Sequence, residues 1–134
     1  MSKLKGLLKT QELARVGVLY APASFLVASE QELLDTCNGC GAAGSWFRPP
    51  STMWGTDIEP ACNIHDWMYS KGYTIEDKHQ ADETMQNNID RLIDRDSHKW
   101  YKPTLLQHCR SRLYFLGVSW FGGSAYWKGK NGVV

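Results

Sequence analysis

The chain has 134 residues, of which 43% are hydrophobic and 22% charged, and its formal net charge is +1. This length and balance predict one folded domain with its own core and argue against disorder. The small net charge and the scattered Lys and Arg residues argue against nucleic acid as a partner, because nucleic-acid-binding proteins usually carry a clear basic excess.

Residues 1–28 combine a basic beginning with an apolar run from residue 16 onwards. A cleaved signal peptide is disfavoured, because the basic part contains Glu12 and Pro22 interrupts the apolar run. We expect an N-terminal arm that packs on the domain of residues 29–134 and begins with an amphipathic helix of Leu4, Leu7 and Leu8. No stretch is long enough to span a bilayer, so no transmembrane segment is expected.

A short helix and a glycine-rich loop are predicted next. Ser29 and Glu32 have the spacing of a capping box, and the helix that they open is expected to end near Thr36. The chain continues as Cys37-Asn38-Gly39-Cys40-Gly41-Ala42-Ala43-Gly44, whose glycines allow the backbone to turn its carbonyl oxygens inward. Such a loop can coordinate a cation, although the pattern also fits an ordinary turn.

The central helix is predicted to follow this loop. Thr56 and Glu59 have the form of a capping box, Pro60 is tolerated in a first turn, and Gly72 can end the helix. The arrangement predicts a helix that begins near Thr56 and ends before Gly72.

Two faces of the central helix carry different chemistry. Cys62, His65 and Tyr69 share one face, whereas Asp66 is rotated by about 100° around the helix axis. One face therefore offers a base, and the adjacent face offers a carboxylate.

A second long helix is predicted from the capping pair of Thr74 and Asp77 to about Asp94. Its apolar stripe consists of Ile75, Met85, Ile89, Leu92 and Ile93. Asp82 lies on that stripe, and a buried carboxylate must be paired or hydrogen-bonded. The short glycine-containing connection predicts that this helix packs antiparallel to the central one.

A third helix is predicted to begin at Pro103 and to complete the core. Its inward face is expected to consist of Leu105, Leu106, Cys109, Leu113, Leu116 and Trp120. The predicted fold is therefore all-α: a small domain with two antiparallel catalytic helices, a third core helix and a glycine-rich loop.

His65, Tyr69 and Asp82 together predict a catalytic site. An imidazole changes charge near neutral pH, so His65 can act as a general base. Asp82 can bind the far nitrogen of the His65 ring, and Tyr69 can donate its hydroxyl to Asp82. Asp66 faces the glycine-rich loop, and its carboxylate with loop carbonyls would form the oxygen-only set that calcium prefers.

These residues resemble the phospholipase A2 superfamily, especially its short prokaryotic and phage-encoded members. The resemblance rests on the loop residues 37–41, on Asp82, and on the segment Ala61-Cys62-Asn63-Ile64-His65-Asp66-Trp67-Met68-Tyr69. It favours a secreted or phage-delivered protein over a permanently cytoplasmic one.

The resemblance implies an enzyme that hydrolyses the sn-2 acyl ester of phospholipids at a membrane surface. His65 would be the base for a water molecule, and Asp82 would orient His65. The implied cofactor is Ca²⁺, bound by the carboxylate of Asp66 and by the backbone carbonyls of Cys37, Gly39 and Gly41. The ion would polarise the ester carbonyl.

The cysteines depart from the pattern of the animal secreted enzymes. Asn38 stands where those enzymes have the loop cysteine that is bridged to the position of Cys62. We expect Cys62 to lie close to Cys37 or Cys40 instead, because the loop must be held beside Asp66. A disulfide at that point would stabilise the fold by a few kcal/mol.

Two other classes of function stay open at this point. A phospholipase-like fold could serve as a catalytically silent binding module, since a fold does not imply a function. The four cysteines, which are Cys37, Cys40, Cys62 and Cys109, could also bind zinc in a structural protein. The remaining histidines are expected to be surface or packing residues: His79, His98 and His108.

Overall fold

The computed structural model describes residues 3–37, 52–53 and 56–96, together with helical residues at 108–109, 112–113 and 115–116. Five helices are defined: α1 (Lys3–Arg15), α2 (Ala23–Leu26), α3 (Glu30–Thr36), α4 (Glu59–Lys71) and α5 (Ile75–Asp96). The predicted all-α class is confirmed. Each helix in these ranges is too short or too polar to cross a lipid bilayer.

The helices α4 and α5 form an extensive interface. Residues 72–74 connect them, and the contacts between them run in opposite directions: Tyr69 of α4 is near Lys78, whereas His65, one turn earlier, contacts Asp82. This order agrees with the predicted antiparallel hairpin.

The core joins the N-terminal residues to these two helices. Leu7, Phe25 and Leu33 are almost completely buried, and Phe25 packs edge-on against Trp67 of α4 with ring centroids 5.8 Å apart. Leu7 of α1 and Phe25 of α2 thus belong to the same core as α4. The buried apolar face of α1 includes fewer residues than predicted, because Leu8 is 37% exposed. Core residues of α4 and α5 include Ile64, Trp67, Met85, Ile89 and Ile93.

Buried amides fix the irregular chain between α1 and α3. The Gln11 side chain donates to the carbonyls of Phe25 and Ala28 at 3.0 and 3.2 Å. Asn88 of α5 is completely buried; it accepts from the backbone N–H of Tyr20 and donates to the carbonyl of the same residue. These contacts satisfy backbone groups that no helix or strand pairs.

Two of the three predicted capping boxes are present. The Ser29 hydroxyl accepts from the Glu32 N–H while the Glu32 carboxylate accepts from the Ser29 N–H. Thr74 and Asp77 exchange the same pair of bonds before α5. Side-chain oxygens therefore satisfy free N–H groups at both helix beginnings.

The predicted cap of α4 is wrong. Thr56 belongs to a short strand, β2 (Thr56–Asp57), which pairs antiparallel with β1 (Thr52–Met53). The helix begins at Glu59, whose N–H donates to the Asp57 carboxylate at 3.0 Å. Strand pairing thus keeps Thr56 outside the helix, and Asp57 provides the oxygen. Pro60 in the first turn and Gly72 at the end are as predicted.

The predicted inward face of the third helix is wrong at two of its three described positions, whereas the third, Leu116, is half-buried. Cys109 is exposed and Leu113 is 66% exposed. His108 faces α5 instead and lies between the carboxylates of Asp90 and Asp94, at 2.8 and 2.9 Å. Two ion pairs, rather than the apolar stripe, orient this turn of helix. Leu105, Leu106 and Trp120 lie outside the described residues.

One position of the stripe predicted for α5 is also wrong. Ile75 is 44% exposed, because it occupies the first turn of the helix. The other four apolar residues of that stripe are buried, and so is Asp82.

Candidate functional site

A completely buried carboxylate, that of Asp82, lies at the centre of the candidate site. Its Oδ1 atom is 2.8 Å from Nε2 of His65 and accepts a 2.6 Å hydrogen bond from the hydroxyl of Tyr69. Its Oδ2 atom accepts a 2.8 Å hydrogen bond from the ammonium group of Lys78. The structure therefore brings together all three residues that the sequence predicted for catalysis, and it adds a lysine.

Helix geometry explains why these side chains meet. His65 and Tyr69 are four residues apart on α4, and Lys78 and Asp82 are four residues apart on α5, so each pair shares a helix face. The rings of His65 and Tyr69 lie 4.0 Å apart between centroids. Antiparallel packing then places the His65 and Tyr69 face directly against Asp82.

The surroundings of Asp82 keep its carboxylate ionised. Burial alone raises the pKa of a carboxyl group, but the hydrogen bond and charge of His65, with the hydrogen bonds of Lys78 and Tyr69, outweigh burial and hold the pKa of Asp82 below its ordinary value. The charged form is thus the form that this site stabilises.

An ionised Asp82 determines which nitrogen of His65 carries the proton. The carboxylate only accepts hydrogen bonds, so Nε2 of His65 must be the donor, and the neutral ring then has its lone pair on Nδ1. Among the described residues, Asp82 is the only hydrogen-bond partner of the ring. His65 is 8% exposed. The arrangement leaves Nδ1 available to accept a proton from a small molecule such as water.

Asp66, the predicted metal carboxylate, is half-buried beside this base. Burial and the charge of Asp66 raise the pKa of the Cys37 thiol to about 12, and the thiol of Cys37 contacts the α4 backbone at the carbonyl of Asn63, 3.3 Å away. Gly39 and Gly41, the other predicted ligands, lie outside the described residues.

A metal site built only from side chains is absent from the described residues, where no three His, Cys, Asp or Glu side chains form a suitable cluster. The predicted site has a different composition, namely one carboxylate and several backbone carbonyls. Calcium accepts such oxygen sets, and Asp66 and Cys37 are the members of the predicted set that lie among the described residues.

The cysteines differ in state. Cys62 is disulfide-bonded, and the cysteine to which it is bonded lies outside the described residues. Cys37 and Cys109 are free thiols, and the buried Cys37 donates to the carbonyl of Asn63 at 3.3 Å. Cys37 thus lies close to Cys62 in space, although it is distant in sequence, and the two are not bonded to each other. A four-thiolate zinc site is wrong, because a bridged sulfur is not a thiolate ligand.

Sequence reasoning missed two ionic contacts. Lys78 precedes Asp82 by four residues on one helix, and this spacing is a signal for an ion pair. His108 has two carboxylate partners on α5, which no local spacing indicates, because the contacts cross between helices that are distant in sequence.

Comparison with known proteins adds no further constraint on this site. No family model, curated protein or solved structure matches the chain. A functional hypothesis therefore depends on the chemistry of the residues that the fold brings together.

Proposed function

We propose that this protein is a calcium-dependent hydrolase that cleaves the sn-2 acyl ester of phospholipids with a water molecule as nucleophile. One observation carries the proposal: the completely buried carboxylate of Asp82 lies 2.8 Å from Nε2 of His65, so that the opposite ring nitrogen is available as a base. This is the arrangement that general-base activation of water requires.

The side chains of the site have separate tasks in this reaction. Nδ1 of His65 takes a proton from water as the oxygen attacks the ester carbonyl, and the resulting imidazolium returns the proton to the departing alcohol. Asp82 stabilises the imidazolium and fixes the orientation of the ring. Tyr69 donates to the same carboxylate oxygen and so keeps Asp82 directed at His65.

Calcium would be bound by Asp66 and by the backbone carbonyls of Cys37, Gly39 and Gly41. When bound, it would supply Lewis-acid stabilisation of the charge that develops on the ester oxygen. The half-buried carboxylate of Asp66, adjacent to the base in sequence and near Cys37, supports this assignment. Because phospholipids lie in membranes, the proposal implies peripheral binding to a membrane surface.

Three substitutions test the division of tasks between adjacent residues. His65→Gln removes the base but not the cation site, so calcium binding should persist while hydrolysis falls by at least about 10²–10⁴-fold. Asp66→Asn should abolish both calcium binding and hydrolysis. Asp82→Asn should retain calcium binding and lower the rate. Calcium titration calorimetry and an ester-hydrolysis assay on each variant provide the measurements.

His79→Gln is the matched control for His65→Gln, because His79 is an exposed histidine of α5. It should behave as the parent does in both assays. If His65→Gln hydrolyses phospholipid as well as the parent, or if Asp66→Asn retains full calcium affinity, the enzyme assignment must be abandoned. Vesicle binding without any product would instead favour a silent binding module.

A further inference from the structure

Lys78 is an unusual lysine, because it is almost completely buried. Its exposed fraction is 3%, and its ammonium group donates to Oδ2 of Asp82 at 2.8 Å. Burial of an ammonium group is costly unless a carboxylate and further hydrogen bonds compensate. A lysine that served only solubility would extend into water, so the burial of Lys78 needs a local reason.

The two oxygens of Asp82 have different partners. Oδ1 contacts His65 and Tyr69 from α4, whereas Oδ2 contacts Lys78 from α5 itself. A carboxylate bonded through only one oxygen can rotate about the bond to its β-carbon. Contacts to both oxygens fix the plane of the group and hence the direction in which Oδ1 meets the imidazole.

We propose that Lys78 is a positioning residue that fixes the plane of the Asp82 carboxylate and thereby orients the imidazole of His65 for proton transfer. The inference rests on the proposed function for its effect on rate, but not for its effect on the geometry of the His65 and Asp82 pair. Lys78 touches neither the water molecule nor the substrate in this scheme, and its proposed effect on His65 passes through Asp82.

The charges around the carboxylate agree with this role. His65 and Tyr69 face Asp82 from α4, Lys78 faces it from α5, and Asp66 is next to the base in sequence. The hydrogen bond from Lys78 is among the contacts that lower the pKa of Asp82 against the effect of burial. The ammonium group also lies 5.9 Å from the centroid of the Tyr69 ring, so it packs against a second member of the site.

Replacement of Lys78 separates the hydrogen bond from the charge. Lys78→Met retains the apolar stem but has no donor, so we expect kcat to fall by about 10- to 100-fold, the range typical when a partner of a site ligand is removed. Lys78→Gln retains a donor without the charge, and its loss should be smaller. KM and calcium affinity should be unchanged in both variants. Lys9→Met, at an exposed position of α1, is the control and should match the parent.

A double-variant cycle tests whether Lys78 acts through Asp82. In an Asp82→Asn background, Lys78→Met should cause no further loss of kcat, because the group that it positions is gone. The same fold loss in both backgrounds would overturn the inference. So would a change in KM or calcium affinity as large as the change in kcat.

Proton NMR reads the geometry without any need for hydrolysis. In the parent, the Nε2–H proton of His65, bonded to a buried carboxylate, should give a resolved low-field resonance. That resonance should be broadened or lost in Lys78→Met and retained in Lys78→Gln. If Lys78→Met does not fold, Lys78→Gln replaces it in the double-variant cycle. Its smaller loss of kcat should then disappear in the Asp82→Asn background, and an equal loss in both backgrounds would overturn the inference.

An unchanged low-field resonance in a folded Lys78→Met protein would contradict the positioning role. If the parent gives the expected spectra but hydrolyses no phospholipid, the proposed function fails while the positioning of Asp82 by Lys78 stands. The two hypotheses can therefore fail separately.

Discussion

Asp82→Asn should destabilise the folded protein strongly, because it breaks a buried ion pair. The carboxylate is completely buried and accepts from His65, Tyr69 and Lys78. An asparagine can direct its oxygen at one side only, so its NH₂ group would face either the ammonium of Lys78 or the donors of α4. Lys78, which is 3% exposed, would then lose its contact with the charged carboxylate of Asp82. Loss of one partner of a buried pair costs about 3–5 kcal/mol.

Urea unfolding followed by tryptophan fluorescence measures this loss, because Trp67 is buried in the core. Asp35→Asn is the control: Asp35 is exposed on α3 and, within the described part of the chain, accepts only from Gln31 of the same helix. Its replacement should change stability by less than about 0.5 kcal/mol. If Asp82→Asn costs no more than the control, Asp82 is not the buried acceptor of three hydrogen bonds.

The stabilisation of the folded protein by Asp82 should depend on pH. The pKa of Asp82 is lower in the folded protein than its ordinary value of 3.8. The stabilisation is therefore fully present above pH 3.8 and is lost as the pH falls through the lower folded value. The contribution of Asp82 to the free energy of unfolding should accordingly decline as the pH falls below 3.8, which urea unfolding of the parent and of Asp82→Asn over this pH range measures.

Further predictions concern the thiols and His108. In the folded protein, iodoacetamide should modify the exposed Cys109 and spare the buried Cys37, whose pKa is raised to about 12. Peptide mapping should find Cys62 in a disulfide. Rapid labelling of Cys37 would contradict its burial. Partial burial lowers the pKa of His108, but the hydrogen bonds and charges of two aspartates outweigh this effect and raise it above 6.5. The stabilisation by His108 is therefore present below pH 6.5 and is lost as the pH rises through the pKa that His108 has in the folded protein. In urea unfolding, His108→Gln should lower the free energy of unfolding by up to about 1 kcal/mol at pH 6 and by nothing at pH 9. Equal losses at the two pH values would refute the ion pairs.

The parts of the fold that follow from local rules could be predicted from the sequence. The capping boxes at Ser29 and Thr74 and the glycine after α4 depend on neighbouring residues only, and all three are present. The contact between His65 and Asp82 was predictable because a carboxylate on an apolar stripe requires a partner, and the short connection between α4 and α5 brings the face of His65 against that stripe.

The errors arise where tertiary contacts override local patterns. Thr56 has the spacing of a cap, but pairing with Met53 places it in a strand. Cys109 and Leu113 lie on an apolar stripe, yet the ion pairs of His108 with α5 turn that stripe to solvent. No pattern within one segment reports a contact with another, so these features become visible only in the structure.

The central claim is that this site hydrolyses the sn-2 ester of phospholipids with calcium. The most direct measurement uses vesicles of a phospholipid with different acyl chains at its two ester positions, incubated with the protein and with either calcium or a chelator. We predict release of the sn-2 fatty acid with calcium, none with the chelator, and none from His65→Gln. Release of no fatty acid by the folded parent with calcium, or equal release from both ester positions, would contradict the claim.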